Sequence, residues 1–133
     1  MRKYIIAFLM ILGSVSVFAQ KPHTVKDLLG KWEGRDSRNE VGGLTFLKNN
    51  TLILSVRYTD SPPMKYTVDF TSNPAKIDLI AQNPNNNSRI SMMGLLQFVD
   101  VNTLKFQIFP NGIRPGNFDL QSKQTVLILK RVR

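Results

Sequence analysis

The stretch DLLGKWEG, residues 27–34, contains the only tryptophan of the chain, Trp32. Thr24 is a suitable N-cap, and Gly30 a suitable stop, for one helical turn over residues 25–29. The first strand then runs through Trp32. Chain termini are usually loose, so a large aromatic side chain at this position raises the question of what it contacts.

From Gly30 onward the sequence is typical of β-strands. MKYTVDF (64–70) places Met64, Tyr66, Val68 and Phe70 on one face of a half-buried strand. Further strands are predicted at 44–48, 51–58, 75–81, 89–99, 103–109 and 125–133. Turn residues separate them, and we also interpret Gly42-Gly43 as a turn.

About eight short, evenly spaced strands joined mostly by tight turns are typical of an up-and-down barrel or a sandwich. We expect an all-β, antiparallel, eight-stranded barrel with a short N-terminal helical turn, because closure removes exposed strand edges. Such a barrel has room either for its own side chains or for one small ligand. The one long irregular segment is 110–124.

The Gly30-x-Trp32 pattern after a helical turn resembles the opening of lipocalin-type barrels. In that family the tryptophan closes one end of the barrel, and an arginine from the last strand lies across it. The resemblance implies that role for Arg131, with Arg133 as the second candidate. It therefore implies a lipocalin-like barrel in which Trp32 joins the two ends of the chain.

The order of several segments is also similar to the small secreted lipocalin-like domains of planctomycetes and other environmental bacteria. The matching segments are 29–32, 74–79, 94–96, 114–118 and 126–131. That family usually carries a cysteine in the strand before its Arg-Pro segment, where this chain has Gln107 or the nearby Ile108. Because the family has no established activity, the resemblance implies a fold and adds little on function.

The first 19 residues are typical of a secretory signal peptide. Arg2 and Lys3 precede the apolar run 4–12, and small residues lead to cleavage after Ala19. The run is short for a bilayer span of about 20 residues, which favours cleavage over a retained anchor. We expect a domain of residues 20–133, without a transmembrane segment, in the periplasm or outside the cell.

The chain has no cysteine. A lipoprotein anchor, disulfides, thiol catalysis and cysteine-bound metals are therefore excluded. Loss of Arg2 and Lys3 from a chain of net charge +9 leaves +7. An anionic envelope component or an acidic protein is one partner that fits this charge; nucleic acid does not fit an exported protein. Because lysines and arginines mostly occur one at a time along the sequence, the positive charge could also belong to an ordinary solvated surface. We expect a monomer.

No catalytic or metal-binding constellation stands out. His23, the only histidine, lies in the short polar segment before the first strand. Nucleophilic or metal chemistry would need partners beside it in a pocket. Asp69 and Asp78 are expected on the outer face, paired with Lys65 or Lys76. We therefore expect no enzyme, no metal and no cofactor.

The segment NGIRPGNFD (111–119) is the most distinctive part of the irregular region. In a structural interpretation, Arg114 donates to loop carbonyls, Pro115 stiffens the chain and Phe118 plugs one end of the barrel. In a functional interpretation, Arg114, Pro115 and Phe118 belong to a lid or a surface that contacts a partner. Both interpretations remain open at this point.

Several side chains would line or gate a cavity if one exists, although the aromatic residues and methionine among them could simply fill the barrel. They are Arg57, Tyr58, Tyr66, Phe70, Met92, Phe98 and Phe106. Met92 in particular suits an adaptable apolar wall. The sequence thus predicts non-enzymatic binding of a small apolar or amphipathic ligand, as the lipocalin resemblance implies. The alternative is a solid core whose basic surface or 110–124 loop binds an envelope polymer or a protein.

Overall fold

A computed structural model describes residues 22–36, 38–83, 85–110, 112–123 and 126–133. The predicted signal peptide, residues 1–19, lies outside the described residues. One 3-10 turn spans Val25–Leu28, and we call it simply the 3-10 turn; a shorter one spans Lys48–Asn50. The backbone N–H of Thr24 donates to the Asp27 carboxylate at 2.9 Å. No described helix has the length and apolar character needed to span a bilayer.

The described residues form nine antiparallel strands. They are β1 Gly30–Arg35, β2 Val41–Leu47, β3 Thr51–Val56, β4 Thr59–Asp60, β5 Met64–Asp69, β6 Ala75–Gln82, β7 Arg89–Asp100, β8 Thr103–Phe109 and β9 Leu127–Arg131. The pairing order is β1-β2-β3-β5-β6-β7-β8-β9, and β9 pairs back onto β1. Eight strands therefore close into an up-and-down barrel, as predicted, and β4 is a two-residue extension paired with β3.

The strands define two ends. At the closed end lie the 3-10 turn and residues 100–102, and at the open end lie residues 36–40 and the turn between β3 and β4. The core fills the barrel from the closed end, where Trp32, Leu28 and Leu129 are fully buried. Farther along, the Phe46 and Tyr66 rings pack edge to face at 5.2 Å.

The prediction of a turn at Gly42-Gly43 is wrong. Both residues lie in β2, opposite Gly34 and Glu33 of β1. A Cβ on Gly43 would collide with the Trp32 carbonyl oxygen, and one on Gly34 with the Ile128 carbonyl oxygen. The glycines therefore permit a close approach of neighbouring strands rather than a reversal of the chain.

The third strand is shorter than predicted. β3 ends at Val56, and Arg57 and Tyr58 have φ angles of 51° and 66° in the two-residue turn that leads to Thr59. The expectation that Tyr58 faces the interior is wrong, because the chain reverses before its side chain can join the inward series. Tyr58 is 78% exposed.

Residues 112–123, which we call the strap, are tied to the outer face of the barrel. The Gln107 side-chain amide donates to the Asp119 carbonyl oxygen at 2.7 Å, and its own oxygen accepts from the Asp119 N–H at 2.8 Å. Arg114 donates to Asp78 at 2.7 Å and to the Ile77 carbonyl oxygen at 3.2 Å. The pairing of Asp78 with a lysine is therefore a wrong prediction.

Phe118 does not plug an end of the barrel. Its ring lies beneath the Lys105 ammonium, 4.7 Å from the ring centre, and Lys105 is on the outer face of β8. The prediction failed because the strap turns back along the outside of the barrel rather than crossing its mouth.

Candidate functional site

A cavity of about 500 Å³ opens at the open end of the barrel. We call it the cup. Its wall consists of apolar side chains from four strands: Leu54, Met92, Phe106, Ile108 and Leu127. Because β3, β7, β8 and β9 each turn alternate residues inward, side chains far apart in the sequence meet on one concave surface.

The cup exists because the packed core stops partway along the barrel. On the inner face of β3, Leu52 is fully buried, Leu54 is partly exposed and Val56 is 54% exposed. The same change occurs along β7, from the buried Leu96 to the half-buried Met92. The barrel interior around Trp32 is therefore filled by side chains, and the open half leaves room for a ligand.

The rim of the cup is charged and partly organised by its own contacts. Arg57 pairs with Glu40 at 2.8 Å, and this hydrogen bond raises the pKa of Arg57. The Asp36 carboxylate accepts the backbone N–H groups of Glu40 and Arg38, which lower its pKa. Lys123 of the strap also borders the cup. The rim thus presents charge around an apolar interior.

The predicted cavity residues separate into different places. Met92 and Phe106 line the cup, and Arg57 is at its rim. Tyr66 is buried in the core, where its hydroxyl has no hydrogen-bond partner among the described residues and burial raises its pKa. Tyr58 is on the outside of the barrel.

Phe70 and Phe98 lie at the other end of the molecule. They border a smaller cavity of about 250 Å³ at the closed end, together with Ser72 and His23. The His23 ring stacks on Phe98 with a centroid distance of 4.1 Å, and its Nδ1 lies 3.5 Å from Asp27. His23 thus covers an aromatic surface beside the 3-10 turn.

The structure brings Trp32 and Arg131 together at the closed end. The Trp32 N–H donates to the Leu28 carbonyl oxygen at 2.8 Å, and the Arg131 guanidinium lies over the indole at 4.2 Å. Gly30 has a φ angle of 117°, and a Cβ at this position would lie 3.8 Å from the Arg131 guanidinium. Arg133 instead donates to Asn102 at 3.0 Å. This end of the barrel is therefore sealed.

Sequence reasoning missed several residues of the cup. Leu54, Ile108 and Leu127 belong to alternating strands, so the pattern places them inside, but it does not tell filled from unfilled positions. Glu40 lies in a connection without a repeating pattern. Its contact with Arg57 depends on how two neighbouring turns meet at the rim.

Among the described residues no group of three or more histidines and carboxylates is placed to hold a metal ion. No family model, curated protein or solved structure matches the chain. The barrel and the geometry of the cup are therefore the observations that bear on function.

Proposed function

We propose that this protein is a non-enzymatic binding protein that holds one small apolar or amphipathic molecule in the cup. The observation that carries the proposal is the apolar cavity of about 500 Å³ at one end of a closed barrel. Sites for drug-sized ligands have volumes of about 300–1,000 Å³ and mostly apolar walls. The charged rim suits a ligand with a polar group at its outer end.

Two expectations from the sequence complete the proposal. The resemblance of the Gly30-x-Trp32 opening to lipocalin-type barrels supports carriage of a ligand inside the barrel. The signal-like residues 1–19 support export to the periplasm or the extracellular space, where the domain would act as a monomer.

The other candidate, a polymer or protein bound by the 110–124 loop, has less support. Arg114 is only 17% exposed on its side chain and pairs with Asp78. Lys105 lies over Phe118. Because these cations hold the strap against the barrel, they are poorly available to an external anion.

The proposal is tested with N-phenyl-1-naphthylamine, a neutral apolar dye that fluoresces when it leaves water. Leu54→Trp puts an indole into the cup, and we expect it to weaken dye binding at least about tenfold, because the added ring occupies the ligand volume. Ile53→Trp is the matched control, since Ile53 adjoins Leu54 on the opposite face of β3. It should leave the affinity within about twofold of the parent value.

Native mass spectrometry of the protein purified from its own host gives the second readout. A co-purifying small molecule at one per chain would support carriage. A dye that fails to bind, or that binds equally well to Leu54→Trp and Ile53→Trp when both are folded by circular dichroism, would refute the proposal.

A further inference from the structure

The turn between β3 and β4 has residues that its backbone does not favour. Arg57 and Tyr58 both have positive φ, at 51° and 66°. Two-residue hairpin turns of this kind favour Asn-Gly, because bulky side chains are disfavoured in the left-handed region. The second position of this turn is nevertheless occupied by a large aromatic residue, Tyr58, which is 78% exposed. Neither the turn nor the core explains this choice.

A second exposed apolar side chain lies at the same end of the molecule. Ile90, next to the start of β7, is 58% exposed and stands on the inward series of its strand, beyond Met92 of the cup wall. In the pairing order β3 and β7 are separated by β5 and β6. Tyr58 and Ile90 therefore lie at well-separated positions around the open end of the barrel, and Tyr58 also borders the outer surface of β1 and β2 beside Glu33 and Gly43.

Two arginines lie at the same end of the barrel as Tyr58 and Ile90. Arg38 in the connection between β1 and β2, and Arg89 at the start of β7, form no ion pair within 4 Å of any described carboxylate, although the charge of Arg38 also acts on Asp36. The carboxylates at this end are already engaged by the protein. Glu40 binds Arg57, Asp36 accepts backbone N–H groups, and Asp60 accepts the Ser55 hydroxyl at 2.6 Å.

We infer that the open end of the barrel docks on the surface of an anionic lipid bilayer, with Tyr58 and Ile90 in the headgroup region and Arg38 and Arg89 against the lipid phosphates. Tyrosine is well suited to this boundary, because its ring is apolar and its hydroxyl is polar. Exposed apolar side chains and cations together are the combination that holds a protein on an anionic membrane surface. Arg38 also borders the cup, so the docking surface adjoins the cup, but docking does not require a ligand inside it.

The experiment is co-sedimentation of the purified protein with vesicles of phosphatidylcholine and phosphatidylglycerol in equal parts, compared with phosphatidylcholine alone. We expect binding to the anionic vesicles that weakens as salt is added. Replacing either Arg38 or Arg89 by Gln should weaken it about fivefold. The double variant Tyr58→Asn/Ile90→Thr should weaken it about tenfold or more.

The closed end supplies matched controls. Val99 and Val101 are exposed about as much as Tyr58 and Ile90, and they lie at the opposite end of the barrel. Val99→Thr/Val101→Thr and Lys26→Gln/Lys48→Gln should leave vesicle binding within about twofold of the parent.

Tyr58→Asn separates a role of Tyr58 in docking from a role in the stability of the fold. Asparagine tolerates positive φ better than tyrosine, so the thermal midpoint should stay constant or rise while vesicle binding falls. A residue with a merely structural role would not move these two quantities in opposite directions.

Two outcomes would overturn the inference: no binding to anionic vesicles, or equal loss of binding from the open-end and closed-end variants. If the vesicles do not bind the protein but soluble polyglutamate does, an acidic polymer is the partner. Failure of dye binding with vesicle binding intact would refute the cup proposal alone, and the converse result would refute the docking alone.

Discussion

The Arg131 guanidinium carbon lies 4.2 Å from the centre of the Trp32 indole ring, and these residues are also direct partners in the pairing of β9 with β1. The guanidinium nitrogens donate to the carbonyl oxygens of Leu29, Asp27 and Val101 at 3.0, 2.8 and 3.1 Å. One side chain from the last strand thus binds the 3-10 turn, the first strand and the β7–β8 turn.

We predict that Arg131→Ala lowers the free energy of unfolding by about 2–4 kcal/mol, because it removes the cation–π contact and leaves several carbonyl groups without a donor. Urea unfolding followed by the fluorescence of Trp32 measures the change. Arg133→Ala, which loses a hydrogen bond to Asn102 on an exposed side chain, should cost less than about 1 kcal/mol. Equal losses of unfolding free energy in the two variants would show that the Arg131 contacts have no special role.

Gly43 and Gly42 allow a second comparison of adjacent residues. A Cβ on Gly43 would overlap the Trp32 carbonyl oxygen, whereas one on Gly42 would stand 3.5 Å from the Ser55 carbonyl oxygen, an ordinary contact. We predict that Gly43→Ala costs about 3 kcal/mol or more, or prevents folding, because β1 and β2 must separate. Gly42→Ala should be neutral within about 0.5 kcal/mol. Thermal unfolding of the two variants tests this, and a similar loss in both would contradict it.

The attachment of the strap to the barrel should depend on the Gln107 side-chain amide. This side chain is almost fully buried and exchanges two hydrogen bonds with the Asp119 backbone. We predict that Gln107→Leu costs about 1–2 kcal/mol, because the Asp119 N–H and carbonyl groups lose their half-buried hydrogen bonds, and that a protease cuts the strap faster than in the parent protein. Lys105→Gln removes the contact with Phe118 at the surface of the strap and should cost about 0.5–1 kcal/mol. Cleavage at the parent rate in Gln107→Leu would show that other contacts hold the strap.

The pH dependence of stability follows from exposed carboxylates in turns. Hydrogen bonds from Thr71 lower the pKa of Asp69, and those from Asn102 and Thr103 lower the pKa of Asp100. A group whose pKa is lower in the folded state binds fewer protons there than in the unfolded state, so its contribution is present above the unfolded pKa near 3.8 and is lost as the pH falls through the folded pKa.

We therefore predict that the parent protein is less stable to urea at about pH 3 than at about pH 5. Asp69→Asn/Asp100→Asn should reduce this difference, because the amides do not titrate but keep an acceptor oxygen for the turn. Asp60→Asn, at an exposed carboxylate of β4 that accepts the Ser55 hydroxyl, is the control. A pH dependence unchanged in the double variant would rule out these two carboxylates as its source.

Sequence reasoning recovered the strands better than the loops. Residues 64–70 and 75–81 were predicted as strands with inward Tyr66, Ile77 and Leu79, and β5 and β6 follow that pattern closely. It failed at Tyr58 and at Gly42-Gly43, where local residue type indicated the wrong state. In both cases the outcome depends on the neighbouring strand, which fixes where β3 turns and how closely β1 approaches β2.

The sequence by itself determined that the domain is built from antiparallel strands in an up-and-down order, because two-residue alternation and short turns are local properties of the chain. Only the tertiary structure decided where the barrel is solid and where it is hollow, that Arg114 binds Asp78, and that Tyr58 faces outward. These features depend on the register and closure of the strands, which bring together side chains whose separation along the chain carries no local signal.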